Sequence, residues 1–353
     1  MISGWSRRRL TSAARSWLSL FIMAALLVIA TNLIKNKSLT LVVTNFLIYT
    51  SLVIAYQIFM GNSGIVSFGQ VAFFGIGAYS ASILNIPPAV KEIALPTIPP
   101  FLQQMQTGAI LAIILASILS GLVALLIGIV ISRMQENAMG IATFALLVIV
   151  YTVIHNWKAV TRGGLGIYGI PNVMTPNFAL VGLMIIVGVA LLYKASPLGL
   201  FVQGAREDPL AAKSLGNHLV PVRLVCFVIG AMVMAAGGGM WAHNVRAFGP
   251  SSFFFHDTFT MIAMMVIGGQ ASVSGAIFGS GVVTIVSEAI RPLETGLEIG
   301  KMQIPEFYGA VQLSLAVLIL VTLILRPEGI MGVKEFNIPF SQWKKKLTSW
   351  KRK

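Results

Sequence analysis

Apolar runs of membrane-crossing length alternate along this chain with short polar or glycine-rich breaks. Windows near residues 18–34, 39–59, 66–86, 107–132, 138–156, 178–195, 222–242, 258–272, 274–290 and 307–325 are each dominated by apolar residues. Most approach the roughly 20 residues that a helix needs to cross a bilayer core. The pattern predicts an all-α, polytopic membrane protein of about ten transmembrane helices.

Two breaks differ from ordinary loops. No charge occurs between Lys37 and Lys91, and that run is interrupted midway by Gly61-Asn62-Ser63-Gly64-Ile65-Val66-Ser67-Phe68-Gly69-Gln70. A second uncharged junction, Gly268-Gly269-Gln270-Ala271-Ser272-Val273-Ser274-Gly275, joins the short eighth and ninth windows. Polar, flexible backbone persists at membrane depth only where protein covers it or where it lines a watery cavity. Broken or re-entrant helices in corresponding parts of two halves point to a central path. Close helix packing through small residues is the alternative. The path candidates are Ser63, Gly64, Ser67, Gln70, Gly268, Gly269 and Gln270. Neutral hydroxyls and amides hydrate a passing zwitterion without holding it tightly, and glycine admits close backbone approach.

Composition supports the membrane class: 56% hydrophobic, 10% charged, mean hydropathy +0.86. The formal charge of +14 would suit nucleic acid, but the basic residues cluster at the two ends and in a few loops, so no nucleic-acid partner is expected. Their distribution sets topology instead. With the N-terminus inside, 17 Lys/Arg fall on the cytoplasmic side and 8 on the other, which predicts both termini in the cytoplasm and an even number of spans. The chain divides into a basic N-terminal tail (1–17), a transmembrane domain (18–326) with a cytoplasmic loop at 196–221, and a basic C-terminal tail (327–353). The first apolar stretch is long for a signal core and is read as an uncleaved helix. In the last tail, Trp343 and Trp350 stand among lysines and arginine, a composition suited to lying on membrane lipid; a disordered tail that only fixes orientation is the alternative.

Enzyme chemistry finds no motif. Cys226 is the one cysteine, and His155, His218, His243 and His256 are scattered without metal-ligand spacing. No G-x-x-x-x-G-K-[ST] sequence occurs, so no cofactor is expected in this chain and ATP would have to be bound by a partner. Of the acids, only Glu288 falls well inside a predicted span, and Arg291 one turn on can neutralise it, which is thin support for proton coupling.

The cytoplasmic loop carries the most specific local signal, Gly204-Ala205-Arg206-Glu207-Asp208-Pro209-Leu210-Ala211-Ala212-Lys213-Ser214-Leu215-Gly216. Asp208 suits an N-cap, Pro209 the first helical position, Lys213 the carboxyl end, and Gly216 a left-handed stop. The result is a helix of about two turns, either a docking lug for a soluble partner or a surface connector.

Ala211-Ala212-x-x-x-Gly216 after an Arg-Glu-Asp cluster resembles the coupling loop of ABC importer permeases. Together with Ser63-Gly64-x-x-Ser67-x-Gly69-Gln70-x-x-Phe73-Phe74-Gly75-x-Gly77-Ala78-Tyr79, Thr161-x-Gly163-Gly164-x-Gly166-x-x-Gly169-Ile170-Pro171, Gly268-Gly269 and Arg326-Pro327-Glu328-Gly329-Ile330, it resembles the branched-chain amino-acid permease family, LivM type, from about Tyr49 to Gly332. The chain departs from the pattern at Leu210, Ala271 and Arg162. The resemblance implies a permease of the bacterial inner membrane that carries branched-chain or other small amino acids. Its implied partners are a homologous second permease subunit, two cytoplasmic ABC ATPase subunits and a periplasmic substrate-binding protein. Urea, short amides and small carboxylates are alternative substrates, and a secondary transporter or channel is the rival from another class. Arg206, Glu207, Asp208, Ala211, Ala212 and Gly216 are expected to couple to the ATPases. Thr161, Arg162, Gly163 and Gly164 are expected at the outer mouth, with Arg162 a candidate for the substrate carboxylate or for a lipid or solvent contact.

Overall fold

Helix starts follow caps that the sequence supplies. Asn36 accepts from the Ser38 and Leu39 amides, Thr175 from Phe178, and Ser196 from Gly199, with proline at the first helical position after both Thr175 and Ser196. The computed structural model describes residues 2–337 apart from 215, 217, 295–296, 300–301 and 305–306. The tail Trp343–Lys353 lies outside the described residues.

The long helices are α1 (Ile2–Ile34), α2 (Lys37–Tyr56), α3 (Gln70–Asn85), α6 (Ala109–Ile131), α7 (Glu136–Asn156), α9 (Pro176–Ala195), α12 (Leu219–Val245), α13 (Phe255–Gly268), α14 (Val273–Glu294) and α15 (Ala310–Leu325). Shorter ones fill the connections: α4 (Pro88–Ala94), α5 (Pro100–Gln104), α8 (Lys158–Thr161), α10 (Pro197–Glu207) and α11 (Pro209–Ser214). Strands β1 (Leu297–Ile299) and β2 (Met302–Ile304) form an antiparallel ribbon before α15. Among the described residues, eight helical segments are long and apolar enough to cross a membrane, and the α3–α4 pair, bent by 119°, makes a ninth if it counts as one span. Each of the ten apolar windows holds a helix, but α15 is only 16 residues long.

The protein is thus a multi-pass helical bundle. Its centre is α2, α3 and α12, where Leu47, Ile54, Tyr56, Phe59, Phe73, Phe74 and Phe227 are fully buried. α3 and α12 touch backbone to backbone: a Cβ on Gly77 would stand 2.3 Å from the Ala235 carbonyl oxygen, so only glycine fits there. The outward surfaces of α6, α9 and α15 carry exposed leucines, isoleucines and valines, as suits helices facing hydrocarbon.

Long-range contacts define two ends of the bundle. One end gathers the first junction, the α6–α7 turn, the α10–α11 loop, the second junction and residues 326–337, tied by Arg206 to Gly61, Arg223 to Glu136, and Lys194 to Ala271. The opposite end gathers Asn32 with Asn177, Asn85 with Thr107, and an antiparallel bridge between Ile167 and Phe248. The proline-rich segment 87–106 forms a small cover there, built on α4 and α5. Buried Lys91 pins it by donating to the carbonyls of Leu102 and Met105.

Candidate translocation site

α2 loses its regular pitch before it ends. Residues Gln57–Gly61 form one π-helical turn, a distortion frequent at functional positions. Asn62 and Ser63 follow, with Ser63 Oγ donating to the Phe59 carbonyl at 2.7 Å and accepting from the Ile65 amide at 3.2 Å. In a continued helix the Ile65 amide would bond to the Gly61 carbonyl. The serine therefore takes the amide and frees the carbonyl. The chain turns at Gly64, where φ is +73°, and reaches α3 at Gln70. Protein covers most of this junction: Gly61, Asn62, Ser63, Ile65, Ser67, Gly69 and Gln70 are buried, while Gly64 and Val66 are exposed. α7 supplies part of the cover, with Thr143 Oγ1 accepting from the Phe68 amide at 3.3 Å.

The second junction is built by a different chain segment but lies against the first. A Cβ on Gly61 would stand 2.2 Å from the Gln270 carbonyl oxygen. Gly268 and Gly269 are buried and Gln270 is half-buried. The Arg326-Pro327-Glu328-Gly329-Ile330 block docks on this turn, with Ile330 and Met331 amides donating to the Ile267 and Gly268 carbonyls, both at 3.0 Å. α14 then begins under an unusual cap. The Glu335 carboxylate accepts from the Val273 amide (3.0 Å), the Ser274 amide (2.9 Å) and Ser274 Oγ (2.7 Å), and pairs with Lys194 at 2.5 Å. Burial alone would raise the Glu335 pKa, but the Lys194 ammonium and the Ser274 donors outweigh it and hold the group below its ordinary value.

The polar candidates divide into two kinds. Ser63 is committed to backbone. Ser67 Oγ and the side-chain amide of Gln70 are buried without a hydrogen-bond partner among the described residues, and so is the amide of Gln57, which the sequence reading passed over. A buried amide left unpaired costs about 1–3 kcal/mol, so such groups in a native fold call for an explanation. Gln57 carries a sequence signal of its own, being the one amide side chain within the apolar window 39–59 after Asn45.

Beside the first junction lies a groove of about 420 Å³ lined by Gly64, Val66, Phe68, Glu136, Gly140 and Phe144. From it a chain of rings runs along α7 and the start of α13, with Phe144, Phe255 and His155 exposed. Phe68, Phe144, Phe255, Phe254 and Tyr151 follow one another at centroid separations of 5.9, 5.6, 4.1 and 4.3 Å, and Tyr151 stacks on His155 at 5.9 Å. His155 faces the predicted outer-mouth block, since a Cβ on Gly164 would stand 3.0 Å from its Cε1. In that block Thr161 Oγ1 donates to the helix-end carbonyls of Ile154 and Trp157 and accepts from the Gly163 amide. Arg162 is half-buried in a left-handed conformation, φ +63°, with its guanidinium over the Tyr168 ring at 4.7 Å.

The α10–α11 loop has the cap that its sequence predicts. Asp208 Oδ1 accepts from the Leu210 and Ala211 amides at 2.9 and 3.0 Å, and Gly216 follows with φ +81°. Ala212 is buried against Ala205 and Leu219, while Glu207, Asp208, Ala211, Gly216 and especially Leu210, 78% exposed, face outward. Arg206 is exposed too, with Nε 3.9 Å from the Glu207 carboxylate, but it also reaches inward. Its side chain crosses Gly64, and Nη1 donates to the freed Gly61 carbonyl at 2.7 Å. The sequence did not announce α10, whose amphipathic face packs Val202 and Ala205 inward.

Comparison with known proteins fits this arrangement. A family profile described as the permease component of branched-chain amino acid transport systems matches residues 38–325. The high-affinity branched-chain amino acid transport system permease protein LivM of Salmonella typhimurium is 23% identical over 347 residues, covering 88% of this chain and 74% of the relative. LivM of Escherichia coli shows the same identity and coverage. No solved structure gives a significant match. The profile spans both junctions, the ring track and the capped loop, and the chain belongs to the branched-chain amino acid transport permease family.

Proposed function

We propose that this chain is the membrane-spanning subunit of an ATP-driven importer that moves branched-chain or other small amino acids into a bacterial cell. About ten of its helices cross the inner membrane with both termini in the cytoplasm, so the end bearing α10 and α11 is the inner one. Two cytoplasmic ATPases dock on the exposed Glu207–Ala211 tip, a homologous second permease completes the path, and a periplasmic binding protein delivers substrate at the Thr161–Gly164 end.

One observation carries the proposal. Two uncharged helix-to-helix turns converge, Gly61 against Gln270, beside buried unpaired groups of Gln57, Ser67 and Gln70, on the end of the bundle that also holds a capped protruding helix. A path for a zwitterion needs polar groups that are not already satisfied, and an energised carrier without its own P-loop needs a docking element for an ATPase. The ring track from Phe68 to His155 offers sequence-tolerant apolar contact to aliphatic side chains between the two ends of the proposed route.

The test is purification of the tagged chain from its native membrane in mild detergent, with mass spectrometry of its companions and assay of ATP hydrolysis. Recovery of a P-loop ATPase and a second permease is expected. Recovery of the chain alone, with amino-acid flux indifferent to ATP, would replace the importer with a channel or secondary transporter.

A further inference from the structure

The helix α10 lies between two cations that hold carbonyls of the two junctions, Arg206 near its own carboxyl end and Lys194 in the last turn of α9, just before the Ser196 cap. Near its carboxyl end, Arg206 donates to the Gly61 carbonyl at 2.7 Å. Just before its start, Lys194 donates to the Ala271 carbonyl at 2.6 Å and pairs with Glu335 at 2.5 Å. Both carbonyls have been left over by local serine chemistry. Ser63 Oγ takes the Ile65 amide, which orphans Gly61, and Ser272 Oγ takes the Gly275 amide, which leaves Ala271 just outside α14. In each junction the bond that the backbone does not make is made by a charged side chain, Arg206 of α10 at Gly61 and Lys194 of the last turn of α9 at Ala271.

α10 is stiff enough to carry force between them. It is 11 residues long, capped by Ser196, opened by Pro197, and tied back to α9 by Gln203 Nε2 donating to the Lys194 and Gly199 carbonyls at 3.2 and 3.1 Å. At its far end the α11 tip is the exposed part of the loop. The two junctions are in backbone contact at Gly61 and Gln270, so neither can move far without the other. Displacement of a single one would open a gap or force a clash in a tightly packed interior.

We propose that the α9–α10 corner is a two-handled lever: Arg206 on α10 and Lys194 at the end of α9, tied to α10 through Gln203, are positioning residues that transmit movement of the α10–α11 loop to both junctions together, and Glu335 fastens the second handle to the first turn of α14. The proposal rests on the importer function above and adds to it how loop movement reaches the path. Arg206 and Lys194 act through the carbonyls they hold and do not touch the substrate. Glu335 binds Lys194 and the Val273 and Ser274 amides with the two oxygens of one carboxylate, so displacement of the lysine pulls on the start of α14.

The test is the ratio of amino acid taken up to ATP hydrolysed by the full transporter in proteoliposomes. Arg206→Gln, Lys194→Gln and Glu335→Gln are each expected to lower that ratio by about 2- to 30-fold, the usual span of mutational effects on coupling between sites. The Arg206→Gln/Lys194→Gln double variant should do little more than the worse single variant, because one lost handle already desynchronises the junctions. Lys194→Arg, which keeps charge and donor, should retain the ratio. Uptake and hydrolysis falling in parallel, with the ratio unchanged, would reduce these residues to static caps and overturn the lever. A second measurement needs no variant: hydrogen exchange in the wild-type complex, with and without a non-hydrolysable nucleotide, should change at residues 61–69 and 269–275 together. Change at one junction alone overturns the lever while leaving the importer intact. Absence of any ATP-driven uptake by the wild-type assembly overturns the importer itself.

Discussion

The Gly61 α-carbon stands so close to the Gln270 carbonyl that a Cβ built on it would lie 2.2 Å from the oxygen. Both sides of this contact are backbone, so no flexible side chain can yield. Gly61→Ala is expected to push the junctions apart, to destabilise the bundle by about 1–3 kcal/mol as overpacking does, and to abolish uptake. Melting in detergent and uptake in vesicles measure the two effects. A variant with the wild-type melting temperature would show that the junctions are not in contact.

Asp208 serves two amides at the start of α11. Asp208→Ala should cost about 0.5–2 kcal/mol locally, and Asp208→Asn much less, because asparagine is an equally good N-cap. If the protruding tip binds ATPases, co-purification of an ATPase should weaken with alanine and survive with asparagine. Equal ATPase recovery with Asp208→Ala would separate the tip from docking.

Glu335 makes stability depend on pH. Its folded pKa is depressed below the ordinary carboxylate value of 4.5, through Lys194 and Ser274 and against the opposing effect of burial. A depressed acid contributes stability that is fully present above its unfolded pKa and is lost as pH falls through the folded one. The melting-temperature gap between wild type and Glu335→Gln should therefore be widest near neutral pH and close as pH falls below about 4.5. A gap that stays constant to low pH would mean that the carboxylate is not paired in the folded protein.

At Arg162 two effects oppose each other. The left-handed backbone, φ +63°, disfavours any side chain, while the guanidinium stacks on Tyr168. Arg162→Gln keeps the strain and loses a cation–π contact of about 0.5–1 kcal/mol. Arg162→Gly loses the same contact but relieves the backbone. Glycine should accordingly be the milder replacement by melting temperature, the reverse of ordinary side-chain similarity. With the guanidinium engaged by Tyr168, the concentration for half-maximal uptake should stay the same in both variants, and a marked rise would return Arg162 to the substrate carboxylate.

The features legible in the sequence are those fixed by neighbours along the chain. The cap on α11, the Glu288–Arg291 pair at 2.9 Å and the break between α2 and α3 each depend on residues within a turn or two. What pattern could not give is the meeting of distant segments. Nothing near Gln270 announces Gly61, and nothing near Val273 announces that its cap is Glu335, 62 residues away. Arg206 shows the same limit. It falls in a loop motif and reads as part of the docking surface, yet its side chain, 32% exposed, also reaches back to the Gly61 carbonyl of the first junction. The order of the proline-rich segment 87–106 likewise rests on bonds between distant residues, Lys91 to the Leu102 carbonyl among them.

Gln57 and Gln70 separate function from stability most cleanly. Their side-chain amides are buried with no partner among the described residues, and Gln70 Nε2 faces the crowded surface of α12, 3.4 Å from where a Gly230 Cβ would stand. A group in that state is a cost to folding of about 1–3 kcal/mol that an apolar residue of similar length would remove. Gln57→Met and Gln70→Met should therefore raise the melting temperature. If the amides hydrate a passing zwitterion, the same substitutions should slow uptake on the order of tenfold each, the worth of a ~1.4 kcal/mol interaction. Replacing a structural residue lowers stability and activity together, and replacing an irrelevant one changes neither. Only groups held unpaired for a transient ligand give a more stable protein that transports less, so higher melting temperature with unimpaired uptake would move the path away from Gln57 and Gln70.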